Sequence, residues 1–220
     1  MAGEWSQGDG SATDRAWLAD WRRQVAALYA EVRSMAETDP VLAVTHWRTA
    51  RERLYREHPQ SPVPAEARER FQALHFEHDP RLRFEVVVEP AAPSAPGALA
   101  LELPNSGEDV LSFSRVGRMA IPFDGGPRTL SVFWMAGYAG GLFIPFRDAT
   151  NGHETYGAGR YLVDAAKGAD LGGDPDRNTL IVDFNFAFQP SCAFDPRWAC
   201  PLAPPENRLD LPIRAGERIA

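Results

Sequence analysis

Apolar residues fall three and four apart at Trp17, Trp21, Val25, Leu28, Val32 and Met35. That spacing predicts one buried face of an amphipathic helix over 13–36, with Thr13 or Asp14 capping its start. Asp39-Pro40 has the form of an N-cap followed by proline at the first helical position, and it opens a second helix over 40–57. Leu42, Trp47, Ala50, Leu54 and Tyr55 supply its apolar face, and His58-Pro59 ends it. A short third helix is expected within Ser61–Phe71, after a proline-stiffened turn. The Trp residues read as helix face buried on a core, ahead of a ligand platform.

From Leu82 the period changes. LRFEVVVE (82–89) is dense in β-branched residues and reads as a strand. PAAPSAPG (90–97) is a loop. ALALEL, VLSFSRV, RMAIPF, TLSVFWM, GLFIPF, RYLVDA and TLIVDFNFAF follow with partial alternation, and LPIRAG (211–216) closes the set. Asp124-Gly125-Gly126-Pro127 fits a hairpin turn. Eight or nine short strands with tight connections point to an antiparallel barrel or sandwich. The fold class is therefore α+β. Residues 1–12 form a disordered tail, 13–80 a helical segment and 81–220 a β-barrel-like domain.

Composition narrows the partners. The chain has 220 residues, is 44% hydrophobic and carries a formal charge of -7. One core of good size is the default at that length. No basic stripe stands out, which argues against nucleic acid. No apolar run reaches the length of a membrane span. The first residues are polar and acidic, unlike a secretory signal, so a cytoplasmic protein is expected. Nothing in the sequence names a cofactor or an oligomeric state.

Two stretches are dense in chemistry. FIPFRDATNGHETYGAGRYLVD (143–164) mixes charged, hydroxyl and glycine positions, and DFNFAFQPSCAFDPRWACPLAPPEN (183–207) is the second. They are expected to meet and form one polar site. In the first, glycines flank Ala158 beside Arg160, a turn that suits an anion or a tight internal ion pair. Asp148, Glu154, Asp164 and Asp183 sit in or beside predicted strands, where a carboxylate needs partners. Two of them could act as acid and base, or each could be locked by an arginine. Asp183 and Asn185 interrupt an apolar strand two positions apart and so should share a face, with Phe184, Phe186 and Phe188 on the other. Cys192 and Cys200 lack the short spacing of a zinc pair, and no zinc is expected. His153 is the one histidine of this region that could serve a nucleophilic cysteine. Arg160, Tyr156, Asp148, Glu154, Asp183 and Asn185 are the candidate ligand-binding residues, and Asp183, Glu154 and Asp148 the candidate catalytic ones.

These stretches resemble the uncharacterised family called domain of unknown function 1684. Phe143–Leu162 matches its F-x-P-F-x-D-x-T-x-G-x-E-T-Y-G-x-G-R-Y-L pattern, and Asp183–Ala187 its D-F-N-x-A. Cys192-Ala193, Cys200-Pro201 and Pro205-Glu206-Asn207 match the part that follows, and Ala215-Gly216-Glu217 its end. Phe188-Gln189 stands where the family pattern has Tyr-Asn, and Phe194 where it has Tyr. The resemblance implies one folded unit and supplies no activity. Three functions are carried forward: a small polar or anionic ligand bound at a barrel mouth, with metal-free hydrolysis as its catalytic form; a structural or protein-binding module with a closed salt-bridge network; and a flavin-binding split barrel, suggested by fold class alone.

Overall fold

The structure, a computed structural model, describes residues 11–91, 101–102, 112–137 and 140–219. The expected tail and most of ALALEL lie outside them. Helix α1 spans Ala12–Ala36 and α2 Pro40–Glu57. Ser11, ahead of the expected Thr13 or Asp14, caps α1 through a hydrogen bond from the Asp14 amide at 3.1 Å. Asp39 caps α2 by accepting from the Leu42 amide at 2.9 Å, with Pro40 just inside. The third helix is instead a 3-10 segment, Ala65–Arg70, none of whose residues is buried. Without an apolar stripe to pack, it has no reason to extend into a longer helix.

The strands are β1 (Leu74–His75), β2 (Arg83–Pro90), β3 (Leu101–Glu102), β4 (Ser112–Ile121), β5 (Arg128–Met135), β6 (Leu142–Phe146), β7 (Arg160–Asp164), β8 (Thr179–Asp183) and β9 (Glu217–Arg218). Six of them form a curled antiparallel sheet in the order β7-β6-β5-β4-β2-β8, a half-barrel, with β3 added beside β4. β1 and β9 make a small second sheet. β2 divides its length between partners: Arg83–Val87 pair with β8, and Val88–Pro90 with β4. A register shift between Arg115 and Gly117 adds curvature to the long β4–β5 hairpin. A Cβ at Gly117 would lie 2.6 Å from the Glu89 carbonyl, so only glycine permits this approach. The expected turn at 124–127 joins β4 to β5, with Gly126 at φ +98.

LPIRAG is not a strand; pairing starts only at Glu217. β8 ends at Asp183, and Phe184–Phe186 is a 3-10 turn, which corrects the expected shared face of Asp183 and Asn185. The turn rotates Phe184 into one core and Phe186 into another. The first core lies inside the curl, where Met119, Leu130, Ile144 and Phe146 meet Leu209 and Ile213 from the C-terminal segment. The second joins Leu28, Val32, Val44 and Trp47 of the helices to Phe113, Phe133, Phe143 and Tyr161 of the sheet. The central sheet is thus covered on both faces, which is why β7 is buried along its whole length and the alternation read from sequence was only partial. No described helix is long and apolar enough to cross a membrane.

Candidate functional site

The two dense stretches meet. The Tyr161 amide donates to the Phe188 carbonyl at 2.9 Å, and the Tyr161 carbonyl accepts from the Phe188 amide at 3.1 Å. Asn207 fastens the proline-rich segment 200–207 to β5 and β6: its Oδ1 accepts from the Ser131 amide, and its Nδ2 donates to the carbonyls of Ser131 and Pro145.

Arg160 is fully buried at the start of β7. Its Nη2 donates to Asp148 Oδ2 and to the Ile213 carbonyl, both at 2.8 Å. Its Nη1 donates to the carbonyls of Ala215 at 2.5 Å and Glu217 at 3.1 Å. One guanidinium therefore collects three carbonyls of the C-terminal segment in place of strand pairing. Asp148 Oδ1 accepts from the Thr150 amide and hydroxyl and from the Ile213 amide. Thr150 meets Thr155, and Asn151 ties Asp148, Thr155 and Tyr156 together. Burial acts to lower the Arg160 pKa, and the Asp148 charge opposes it.

The side chains of the other expected site residues find partners outside this cluster. Glu154 is half-exposed and pairs with Arg214 at 2.8 Å; the hydrogen bonds from Arg214 lower its pKa. Tyr156 reaches Cys192, its hydroxyl 3.3 Å from the carbonyl, and burial pushes its pKa up to about 12. Asp183 meets Arg83 at 3.2 Å, not Arg160. Its Oδ1 accepts from the Asn185 amide and side chain, while Asn185 also grips the Asp79 amide and carbonyl. Among the described residues no three His, Cys, Asp or Glu side chains gather as a metal site would require.

A cleft lies elsewhere, between the helices and the outer face of the sheet. It has a volume of about 130 Å³. Leu18, Trp21, Arg22, Val25 and Tyr29 of α1 and Arg51 and Tyr55 of α2 form one wall. Tyr161, Asp164, Lys167, Phe188, Gln189, Trp198 and Cys200 belong to the other. None of the six candidate residues lines it. Arg51 lies over the rings of Tyr55, at 4.3 Å, and Phe188, at 4.7 Å. Its Nε donates to Glu217 Oε1 at 2.5 Å and its Nη2 to Oε2 at 3.3 Å. Lys167 pairs with Asp164 at 3.3 Å. Cys200 accepts from the Cys192 amide at 3.3 Å, and hydrogen bonding to the Cys192 thiol together with burial pushes its own thiol pKa far up. Trp47, Arg51 and Tyr55 fall four apart on α2, a stripe that reads as core in sequence; the charge inside it is the one signal that sets it apart from ordinary core.

The molecule is thus an α+β half-barrel whose sheet is capped by two helices, with a polar lock at one end and a cleft under the cap. The chain belongs to the family described as protein of unknown function (DUF1684), whose model matches residues 69–218. That span holds the Asp148–Arg160 lock and the sheet side of the cleft, while α1 and α2 precede it. The chain is similar to the uncharacterised protein from gene locus rrnAC0354 of Haloarcula marismortui, solved in solution by NMR. Identity is 32%, the TM-score is 0.56, and the alignment covers 78% of this chain and 90% of that one. Comparison with curated proteins gives no match.

Proposed function

We propose that this protein binds a small molecule in the cleft between its helices and its sheet, and that the Asp148–Arg160 cluster is a structural support for that site. The observation that carries the reading is the contrast in hydrogen bonding. Around Asp148 and Arg160 the oxygens and both terminal guanidinium nitrogens have protein partners, with Arg160 Nε the one buried atom left over. Of the residues lining the cleft, Tyr55 and Arg51 carry a hydroxyl and an Nη1 that have no hydrogen-bond partner among the described residues. Aromatic walls with a few unspent polar groups are the usual make-up of a ligand pocket.

The support argument follows the chain. Arg160 holds the carbonyls of Ile213, Ala215 and Glu217, and the Glu217 carboxylate in turn fixes Arg51 at the cleft. The reading is one of binding, without a catalytic step. Asp148, Glu154 and Asp183 are each engaged by an arginine, and the Cys200 thiol is held protonated and so is a poor nucleophile. The volume admits a single ring, comparable to the roughly 150 Å³ cavity that accepts benzene.

Ligand-observed NMR with a set of single-ring compounds tests the reading. Hits that vanish in Val25→Trp, which fills the cleft from α1, support it. No hits, or hits indifferent to that substitution, would contradict it.

A further inference from the structure

Cationic side chains outnumber carboxylates on the cleft. Arg22, Arg51 and Lys167 line it against a single carboxylate, Asp164, in a chain whose formal charge is -7. Asp164 is already engaged by Lys167. A guanidinium offers two edges for bidentate recognition. Glu217 occupies the Nε/Nη2 edge of Arg51, and the Gln189 carbonyl lies 3.5 Å from Nη2. Both Nη2 protons are thereby spent, whereas Nη1 makes no hydrogen bond to any described residue and keeps its donors free. Stacking over Tyr55 and Phe188 holds the plane of the group in place.

Two hydroxyls lie beside it. Tyr29 accepts from Trp47 Nε1 at 3.1 Å and retains its own proton to donate. The Tyr55 hydroxyl has no partner, and Tyr55 is one helical turn from Arg51. Burial first, with Glu217 adding to it, raises the Tyr55 pKa and keeps the phenol protonated as a donor. Three donor groups therefore border one small volume, on walls that are otherwise apolar.

Resting on the cleft reading above, we propose that the ligand is a compact monocarboxylate, its two oxygens received by Nη1 of Arg51 and the hydroxyls of Tyr29 and Tyr55. Its apolar body lies along Phe188 and Trp198. A carboxylate is planar, and its two oxygens are matched by a guanidinium N–H on one side and hydroxyl donors on the other.

Calorimetric titration of the full chain at neutral pH with benzoate, benzamide, benzyl alcohol and phenyl phosphate separates the possibilities. A hydrogen-bonded charge predicts benzoate at least about tenfold tighter than benzamide or benzyl alcohol. Tyr55→Phe should narrow that preference. Benzamide binding as tightly as benzoate would overturn the carboxylate assignment and leave the cleft reading standing, as would tighter binding of phenyl phosphate. Failure of every probe would remove both. An unchanged benzoate preference in Tyr55→Phe would overturn the role given to that hydroxyl; the comparison among probes needs no variant and stands if the substitution unfolds the chain.

Discussion

At the scale of single residues, the buried ion pair between Asp148 and Arg160 makes the sharpest demand. An isolated guanidinium in a low-dielectric core costs several kcal/mol, and pairing plus carbonyl contacts must offset that. Asp148→Asn keeps the shape but removes the charge. It should destabilise the fold by about 3–5 kcal/mol, read as a drop in urea midpoint with an unchanged slope. A midpoint equal to that of the native chain would show that the carbonyls of Ile213, Ala215 and Glu217 suffice. His75 gives a second prediction. Burial, aided by Arg48 and Arg51, lowers its pKa from an ordinary 6.5 to about 4, and its Nε2 has no hydrogen-bond partner. Between those values the unfolded chain binds a proton that the folded one refuses. The stability is therefore fully present above about pH 6.5 and is lost as the pH falls toward 4, by roughly 3 kcal/mol from this residue. His75→Gln should flatten the pH profile over that window, and an unchanged profile in chemical denaturation would show that His75 does not cause it.

At the scale of elements, the corner after β8 shows where sequence reading ran out. The run Val182–Phe186 alternates apolar and polar residues as an ordinary strand would, but Asp183 accepts from the Asn185 amide and turns the chain into a 3-10 segment. A short polar side chain that bonds two residues ahead competes with the ladder, and nothing in the alternation reveals which will win. The same corner predicts that Asn185→Ala, which leaves the Asp79 amide and carbonyl without their partner, costs about 1–3 kcal/mol in thermal or urea unfolding. A neutral result would mean that the corner holds through its phenylalanines alone. The helices, the hairpin at 124–127 and most strands were legible because caps, turn residues and periodicity agreed. LPIRAG was misread as a strand because the carbonyls of Ile213 and Ala215 are satisfied by one distant side chain, Arg160, and such a partner leaves no local pattern.

At the scale of the whole molecule, the dense motifs and the cleft are different parts of one arrangement. The meeting of Phe143–Asp164 with Asp183–Asn207 was readable from composition, since both stretches carry polar groups that need partners. The cleft was not. Its walls come from α1, α2, β7 and the loop around Trp198, and Arg51 sits within a stripe of Trp and Tyr that reads as ordinary helix core. Only the packing of helix against sheet brings Tyr29, Arg51 and Tyr55 to the face of Phe188 and Cys200. The acidic chain with a locally cationic cleft also predicts that anion binding weakens as salt rises, though less than at an exposed site because the Arg51 side chain is 12% exposed. Affinity for benzoate measured from low to moderate ionic strength should fall by a few-fold; a rise would contradict the charge assignment.

The central claim is that ligand enters under the helical cap and does not contact the Asp148–Arg160 cluster. Mapping the chemical-shift changes of an isotope-labelled chain during a benzoate titration tests it most directly. The account predicts saturable shifts of the Trp21 and Trp198 indole signals and of the Gln189 amide, with the Thr150 and Thr155 amides still. Saturable shifts centred on Thr150–Tyr156, with the two indoles unmoved, would contradict it.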